Sequence, residues 1–246
     1  MKTISTWLTA LGMAAMFSTT GADASVVIGA TRVVYPMDQR EVTVKLTNDS
    51  ANPSLVQVWM DDGNADATPA DSKAPFVITP PIFRMDAGKS QTLRVMFGGG
   101  ALPQDRESVF WLNVLDVPPK ADAQPGANTL QFAYRTRIKL FARPTKLPGS
   151  PDDAPGQLVW KVVPAAHGEG QALAVSNPTP YYVSFSEISV SADGRRYVND
   201  QGGMVPPKGQ GVIDIPKMAG VHAGKVHFTA INDFGGGMEG DASLAP

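Results

Sequence analysis

Residues 129–141, TLQFAYRTRIKLF, carry the clearest strand pattern in the chain. One parity holds Leu130, Phe132, Tyr134, Thr136, Ile138 and Leu140, and the other holds Gln131, Arg135, Arg137 and Lys139. Because successive side chains of a β-strand point to opposite faces, this alternation predicts a strand with a largely apolar face and a largely basic face. At about 3.3 Å per residue the strand would be about 40 Å long, which exceeds the usual length. We therefore expect it to extend beyond the core of its own domain.

Shorter runs with the same period occur elsewhere in the chain. Residues 41–48, EVTVKLTN, and 92–97, TLRVMF, alternate in this way, and turn-rich segments such as 61–75, DDGNADATPADSKAP, separate the runs. The chain has 24 Gly and 21 Pro and no long run of period 3.6, so helices have little room. The sequence predicts a nearly all-β fold.

A domain boundary is indicated at residues 143–156, RPTKLPGSPDDAPG, which are poor in apolar residues and rich in Pro, Asp and Gly. Strand patterns resume beyond it, and each half has around seven candidate strands. We predict two immunoglobulin-like β-sandwich domains, at residues 25–146 and 147–246. The pattern alone does not fix the strand order.

The first 24 residues are typical of a secretory signal peptide. Lys2 precedes a mostly apolar run from Ile4 to Phe17, and the segment ends in Ala-Asp-Ala. A membrane-spanning helix is the alternative, but it needs about 20 continuous apolar residues, and this run is shorter and interrupted. We expect an exported chain that begins near Ser25.

Composition disfavours several classes of function. The formal net charge is -2, with acidic and basic residues mixed along the chain, which argues against nucleic-acid binding. There is no cysteine, only three histidines, and neither a Gly-x-Ser-x-Gly nor a His-Glu-x-x-His motif. We therefore expect a protein that is not an enzyme and that uses no metal or cofactor.

One further stretch, residues 102–119, LPQDRESVFWLNVLDVPP, has the order apolar-Pro-x-Asp-basic-Glu-Ser, then an aromatic residue, an Asn and a closing Pro-Pro. Four other segments accompany it in order along the chain. They are ATRVVYP at 30–36, RIKLFARP at 137–144, NPTPYYV at 177–183 and INDFGG at 231–236. In these segments the sequence resembles PapD-like periplasmic pilus (fimbrial) chaperones of the chaperone–usher pathway over nearly its full length.

This resemblance implies two domains set at an angle, with a cleft between them. It also implies a periplasmic chaperone that binds, folds and caps pilus subunits by donor-strand complementation and delivers them to the outer-membrane usher. Leu130, Phe132 and Tyr134 would then enter the groove of a subunit whose immunoglobulin-like fold is incomplete. The alternating pattern alone favours the other interpretation, in which all even positions face the domain's own interior, and that interpretation stands for Ile138 and Leu140.

The resemblance also assigns two groups of charged residues. Arg32 and Lys139 would bind the terminal carboxylate of the subunit, and Glu107, Arg143 and Asp233 would form a structural ion network between the domains. Lys139 and Phe132 have opposite parity, so we expect a twist or a bulge to bring Lys139 into the cleft.

Two features concern variation within the family. The connection at 120–128, KADAQPGAN, is short and lacks cysteine, which predicts the subtype with a short loop before the donor strand, typical of rod-like, adhesin-tipped pili. The chain end at 235–246, GGGMEGDASLAP, is poor in apolar residues, so we expect its last strand to be missing, short or frayed. Self-association of the free chain over its open edge is also left open.

A structural or adhesive immunoglobulin-like component of a surface fibre is the alternative function. Such a subunit would carry a free donor segment at its mature N-terminus, whereas here a strand pattern begins almost at once, at Val26.

Overall fold

The structure, a computed structural model, describes residues 26–120, 130–165 and 170–245. The signal peptide and most of the short connection before the long strand lie outside these ranges. Within them the chain is nearly all β, with one short 3₁₀ turn at Pro155–Gln157. The predicted fold class, two immunoglobulin-like sandwiches, is confirmed. No helix in the described ranges has the length and apolarity to cross a membrane.

In the described residues, the first sandwich is built from nine strands. They are β1 (Val26–Ile28), β2 (Arg32–Pro36), β3 (Val42–Asn48), β4 (Ser54–Asp61), β5 (Phe76–Thr79), β6 (Ile82–Met85), β7 (Ser90–Phe97), β8 (Ser108–Val117) and β9 (Tyr134–Arg143). One sheet has the order β1-β3-β7-β5, and the other has the order β2-β9-β8-β4-β6.

The described part of this sandwich has more strands than the seven expected, partly because its first segment forms two strands, β1 and β2. β1 pairs antiparallel with β3 in one sheet, and after three residues β2 pairs parallel with β9 in the other. A single edge segment therefore closes both sheets. Its second half covers only the C-terminal end of β9.

The part of the second sandwich that the structure describes has eight strands. They are β10 (Val159–Pro164), β11 (Gln171–Asn177), β12 (Val183–Ala192), β13 (Arg195–Asn199), β14 (Gly203–Val205), β15 (Gly209–Asp214), β16 (Lys225–Ile231) and β17 (Gly237–Ser243). The order is β10-β11-β15 in one sheet and β13-β12-β16-β17 in the other, with β14 also paired to β12.

The last strand corrects the expectation from composition. β17 pairs with β16 over seven residues, so the prediction of a missing, short or frayed strand was wrong. Strand pairing uses the backbone, and the glycines here serve close approach: a Cβ on Gly240 would lie 2.5 Å from the ring of Phe228. The segment is poor in apolar residues partly because a bulky neighbour fills that space.

Each sandwich has its own apolar core. The first is centred on fully buried leucines such as Leu46, Leu93 and Leu112, and the second on Trp160 and Ile188. Each large apolar side chain that is fully buried contributes about 1.5 to 3 kcal/mol to folding. Two separate cores make two structural units, and their relative position depends on the contacts between them.

The long strand is displaced from its predicted bounds. It begins at Tyr134 and continues to Arg143, so residues 130–133 are not part of it. The reason lies in its neighbour: β8 ends at Val117, and Pro118 and Pro119, which follow, have no backbone N–H to donate. Without a partner on either side, residues 130–133 make no ladder.

Candidate functional site

β9 has an open edge along its N-terminal half. It pairs with β8 from Tyr134 to Ala142, whereas β2 covers only Lys139–Arg143. Among the strands that the structure describes, residues 134–138 therefore have a partner on one side only. Their backbone N–H and C=O groups on the other side are available to another chain.

Large apolar side chains lie at the beginning of this edge. Leu130 is 78% exposed, Phe132 57% and Tyr134 49%. The environment changes further along the strand, because Ile138 and Leu140 are buried in the sandwich core. The interpretation of Ile138 and Leu140 as core residues is confirmed, and the first three even positions lie outside the core.

The opposite face of β9 meets the second domain at its C-terminal end. Lys139 Nζ lies 3.3 Å from Ser184 Oγ of β12, and the ring of Phe141 lies 5.8 Å from that of Tyr182. The ladder to β8 runs without a register shift from Tyr134 to Ala142, so it has no bulge of the kind expected. The cleft lies over the outer face of the sheet, and the parity opposite to Phe132 is what places Lys139 in it.

Arg32 is the neighbour of Lys139 on this face. The two residues are directly paired in the parallel ladder between β2 and β9, so their side chains leave the sheet side by side. The Arg32 Nη1 donates a hydrogen bond to the carbonyl of Ile231 in the second domain (2.8 Å), and the guanidinium lies 5.8 Å from the centre of the Phe141 ring. Its Nε is buried and has no hydrogen-bond partner in the described structure.

The wall of the cleft beside Arg32 is the β16–β17 hairpin. Gly235 in its tip has a φ of 86°, and a Cβ at this position would lie 2.1 Å from Thr31 Oγ1. The hairpin therefore packs closely against the residue that precedes Arg32.

The two cations have no carboxylate of their own. No Asp or Glu in the described ranges lies within 4.0 Å of either side-chain cation. Burial lowers the pKa of Lys139, and the charge of Arg32 lowers it further. Burial also lowers the pKa of Arg32, against the opposing attraction of Asp233. A pair of partly desolvated, mutually repelling cations is a site that an anion would stabilise.

Four residues further along β9, Arg143 has partners on both sides. Its Nε donates to Glu107 Oε1 (2.5 Å), and its Nη1 and Nη2 donate to the two oxygens of Asp233 (2.6 and 2.8 Å). Glu107 is buried, and its second oxygen accepts the backbone N–H of Tyr182 (2.7 Å). Burial raises the pKa of Glu107 although Arg143 and that amide oppose the shift. The structure thus brings the three predicted residues together where the domains meet.

Sequence reasoning did not find every contact between the domains. Lys208 Nζ donates to Asp105 Oδ2 (2.7 Å), and the Glu107 backbone N–H donates to Pro180 O (2.9 Å). Ser184 and Tyr182 were also missed, since nothing in their type or spacing marks them as cleft residues. They were identifiable only from the contacts that Lys139 and Phe141 of β9 make with the second domain.

The molecule has two immunoglobulin-like domains, an open strand edge and, in the cleft, a pair of cations without a carboxylate partner in the described residues. These are the features expected of a protein that binds an extended segment of another chain. Residues 25–148 match the family described as pili and flagellar-assembly chaperone, PapD N-terminal domain. Residues 153–242 match the pili assembly chaperone PapD, C-terminal domain. The chain belongs to the PapD family of pilus-assembly chaperones.

Individual relatives agree with this assignment. The chain is 50% identical over 226 residues to the probable fimbrial chaperone YadV of Escherichia coli (strain K12), covering 90% of each chain. It is 43% identical to the chaperone protein FimB/FhaD of Bordetella pertussis, covering 96% of this chain and 95% of the other.

Among solved structures, the YadV chaperone crystal structure matches with a TM-score of 0.77 and 46% identity, covering 90% of this chain and all of that one. A Salmonella enterica SafA pilin in complex with the SafB chaperone matches with a TM-score of 0.73 and 32% identity, covering 91% of this chain and 98% of that one.

Proposed function

We propose that this chain is a periplasmic chaperone that captures pilus subunits on the open edge of β9, caps them while they fold, and passes them to an outer-membrane usher. One observation carries the proposal: the half of β9 that has an open edge leads directly to Arg32 and Lys139, two cations with no carboxylate partner among the described residues. The SafB chaperone, to which the chain is similar, is named in a complex with a pilin. The role is one of binding, and it requires no catalytic group.

The first part of the mechanism is strand donation. A subunit that lacks one strand has an apolar groove with unpaired backbone on both sides. Residues 134–138 supply backbone groups for one side, and Leu130, Phe132 and Tyr134 supply apolar side chains on alternate positions. Full burial of each large apolar side chain would contribute about 1.5 to 3 kcal/mol.

The second part is the anchor. A terminal carboxylate placed between Arg32 and Lys139 would accept charge-assisted hydrogen bonds, each worth about 1.5 to 3 kcal/mol. It would also provide an acceptor for the buried, unpartnered Nε of Arg32. Because the carboxylate is fixed in position, the side chains of the subunit strand meet β9 in a single register.

The third part is the geometry of the cleft. We assign Glu107, Arg143 and Asp233 a structural role, in which the shared guanidinium holds the two domains at a fixed angle. Lys139 comes from the first domain and Ser184 from the second, so the shape of the anchor site depends on that angle. The proposal also includes export of the chain by a signal peptide at residues 1–24, which is then cleaved.

The test uses subunits that co-purify with the chaperone from the periplasm of the native host and are identified by mass spectrometry. Phe132→Glu would place a charge in an apolar groove, and we expect it to abolish recovery of the complex while the chaperone stays folded. Val212→Glu is the matched control, since Val212 is 59% exposed but lies in the second domain.

The anchor is tested separately with a synthetic peptide that has the sequence of a captured subunit's C-terminus. We expect the free acid to bind and the C-terminal amide to bind at least about tenfold more weakly. Normal complex recovery with Phe132→Glu would refute strand donation, and equal binding of the acid and the amide would refute the anchor.

A further inference from the structure

The outer face of the first domain carries a polar cluster that the capture mechanism does not use. It consists of Trp59 and Asp61 on β4, Trp111 and Asn113 on β8, and Arg135 and Arg137 on β9. We call these six residues the outer-face cluster. Both arginines belong to the half of β9 that has an open edge.

Asp61 is the centre of the cluster and is fully buried. Arg137 binds it with two nitrogens, Nε to Oδ2 (2.8 Å) and Nη2 to Oδ1 (2.5 Å). Asn113 Nδ2 donates to Oδ2 (2.8 Å), and the backbone N–H of Gly63 donates to Oδ1 (2.8 Å). Burial raises the pKa of Asp61, but the hydrogen bonds from Arg137, Asn113 and Gly63 outweigh it and hold the pKa below its usual value.

Arg135 lies 3.9 Å from Asp61 Oδ2 through its Nη2, but its side-chain hydrogen bonds go mainly to a neutral partner. Its Nε and Nη2 both donate to Asn113 Oδ1 (2.9 and 2.7 Å), and Asn113 is fully buried. The two guanidinium groups also lie over indole rings, Arg135 4.7 Å from the centre of Trp59 and Arg137 4.5 Å from that of Trp111. Stacking and two-pronged hydrogen bonds together fix the plane of each arginine in a way that lysine would not reproduce.

These contacts determine the register of β9 against β8. A slip of one residue would turn Arg135 and Arg137 into the apolar core. A slip of two residues would bring Arg135 or Lys139 to Asp61 in place of Arg137, and it would separate Lys139 from its ladder partner Arg32. Because a strand with one open edge makes half the usual ladder hydrogen bonds, its side-chain contacts contribute more to fixing its position.

We propose that Arg135 and Arg137 are positioning residues for subunit capture: clamped to β4 and β8 by Asp61 and Asn113, they hold the open half of β9 extended and in one register before a subunit arrives. This inference rests on the proposed function. An ordered donor strand loses less conformational freedom on binding, which raises affinity without any new contact to the guest. The side chains that touch the subunit are then on one face, and those that hold the strand are on the other.

The test is amide hydrogen exchange of residues 134–138 in the free full-length mature chaperone. Arg135→Ala removes the clamp without leaving a carboxylate unpaired, because Asp61 keeps its closer two-nitrogen pairing with Arg137 and Asn113 is neutral. Asp61→Asn combined with Arg137→Gln removes the ion pair from both sides and so avoids an orphaned buried carboxylate. We expect each variant to exchange at least about tenfold faster at 134–138, with β11 in the second domain (Gln171–Asn177) unchanged.

Two further measurements separate positioning from simple stabilisation. Subunit association is expected to slow by about tenfold in both variants, while the melting temperature changes little in Arg135→Ala. Arg135→Lys keeps the charge but not the fork, and we expect it to exchange like Arg135→Ala. Arg94→Ala, an exposed arginine in the other sheet, is the control and should behave as wild type in every assay.

Wild-type exchange at 134–138 in folded cluster variants would overturn the inference, and so would wild-type exchange in Arg135→Lys. If Phe132→Glu blocks capture while the cluster variants capture subunits at the normal rate, only this inference fails. If Phe132→Glu captures subunits normally, the proposed function itself fails, whatever the exchange shows.

Discussion

Lys139 and Arg143 lie four residues apart on the same face of β9, and their surroundings differ completely. Arg143 holds Glu107 and Asp233, and each acceptor comes from a different domain. Lys139 has a hydroxyl and another cation beside it. No carboxylate of the described residues lies within 4.0 Å of its Nζ. The same strand thus carries one cation that is satisfied internally and one that is not.

The difference separates a structural site from a binding site. Breaking a satisfied buried ion pair destabilises the molecule, because it leaves a charge in a poorly solvated place. An unsatisfied cation costs stability in the free protein, and that cost is relieved when a ligand supplies the anion. Substitutions at the two sites should therefore move stability and binding in different directions.

The largest expected effect is on stability, at Arg143. Arg143→Ala leaves the buried carboxylate of Glu107 without its cation, and we expect the free energy of unfolding to fall by about 3 to 5 kcal/mol. Urea denaturation of the free chaperone measures this. Arg94→Ala, which breaks an exposed pair with Glu41, should leave stability nearly unchanged, and equal losses in the two variants would contradict the buried network.

Effects at the unsatisfied site should appear in binding. We expect Arg32→Ala and Lys139→Ala each to destroy subunit capture in co-purification. Each should also weaken binding of the free-acid peptide by about 1.5 to 3 kcal/mol, which is tenfold or more in affinity. Titration calorimetry measures the peptide affinity. Lys89→Ala, an exposed lysine at the start of β7, is the control. Retained capture by both cleft variants would remove the distinction between the two sites.

The pH dependence of binding sharpens the same distinction. The pKa of Lys139 in the free protein is lowered by burial and by Arg32, and a bound carboxylate would raise it again. Affinity for the free-acid peptide should therefore be full below the free-state pKa and decline as the pH rises through it, with proton uptake on binding. Lys139→Arg should bind with little pH dependence over the alkaline range, and an identical decline in that variant would exclude Lys139 as the titrating group.

The charged residues of the cleft and the outer-face cluster differ in how far the sequence predicts them. Family motifs identified five charged residues of the cleft: Arg32, Lys139, Glu107, Arg143 and Asp233. The contacts of these residues depend on which strands pair, and the motifs do not state that. Asp61 and Arg137 are 76 residues apart; Asp61 matches no motif, and Arg137, although it begins the RIKLFARP segment, was marked only as part of a basic face. Nothing local records which strand pairs with which, and that pairing decides whether a basic residue is solvated, clamped or free.

Local composition also failed where a neighbour controls the outcome. Residues 130–133 continue the alternating pattern, yet they make no strand because Pro118 and Pro119 follow the last paired residues of β8. The glycines of β17 indicated a weak strand, although the space is occupied by Phe228 from β16. Alternation predicts which residues favour a strand, and the partner decides where the strand begins and ends.

The smallest expected effect is on the stability of the free protein at Lys139. In the free protein the folded-state pKa of Lys139 is lowered, so between this value and the ordinary lysine pKa the unfolded chain binds more protons, and stability rises with pH. Protonated Lys139 is repelled by Arg32, and removing the charge removes that penalty. Lys139→Met keeps most of the side-chain length, and we expect its melting temperature to be unchanged or up to about 3 °C higher, while capture is lost. Differential scanning calorimetry of the free variant decides the point: a clear loss of stability would mean that Lys139, like Arg143, is satisfied within its own chain, and the contrast between the two cations would disappear.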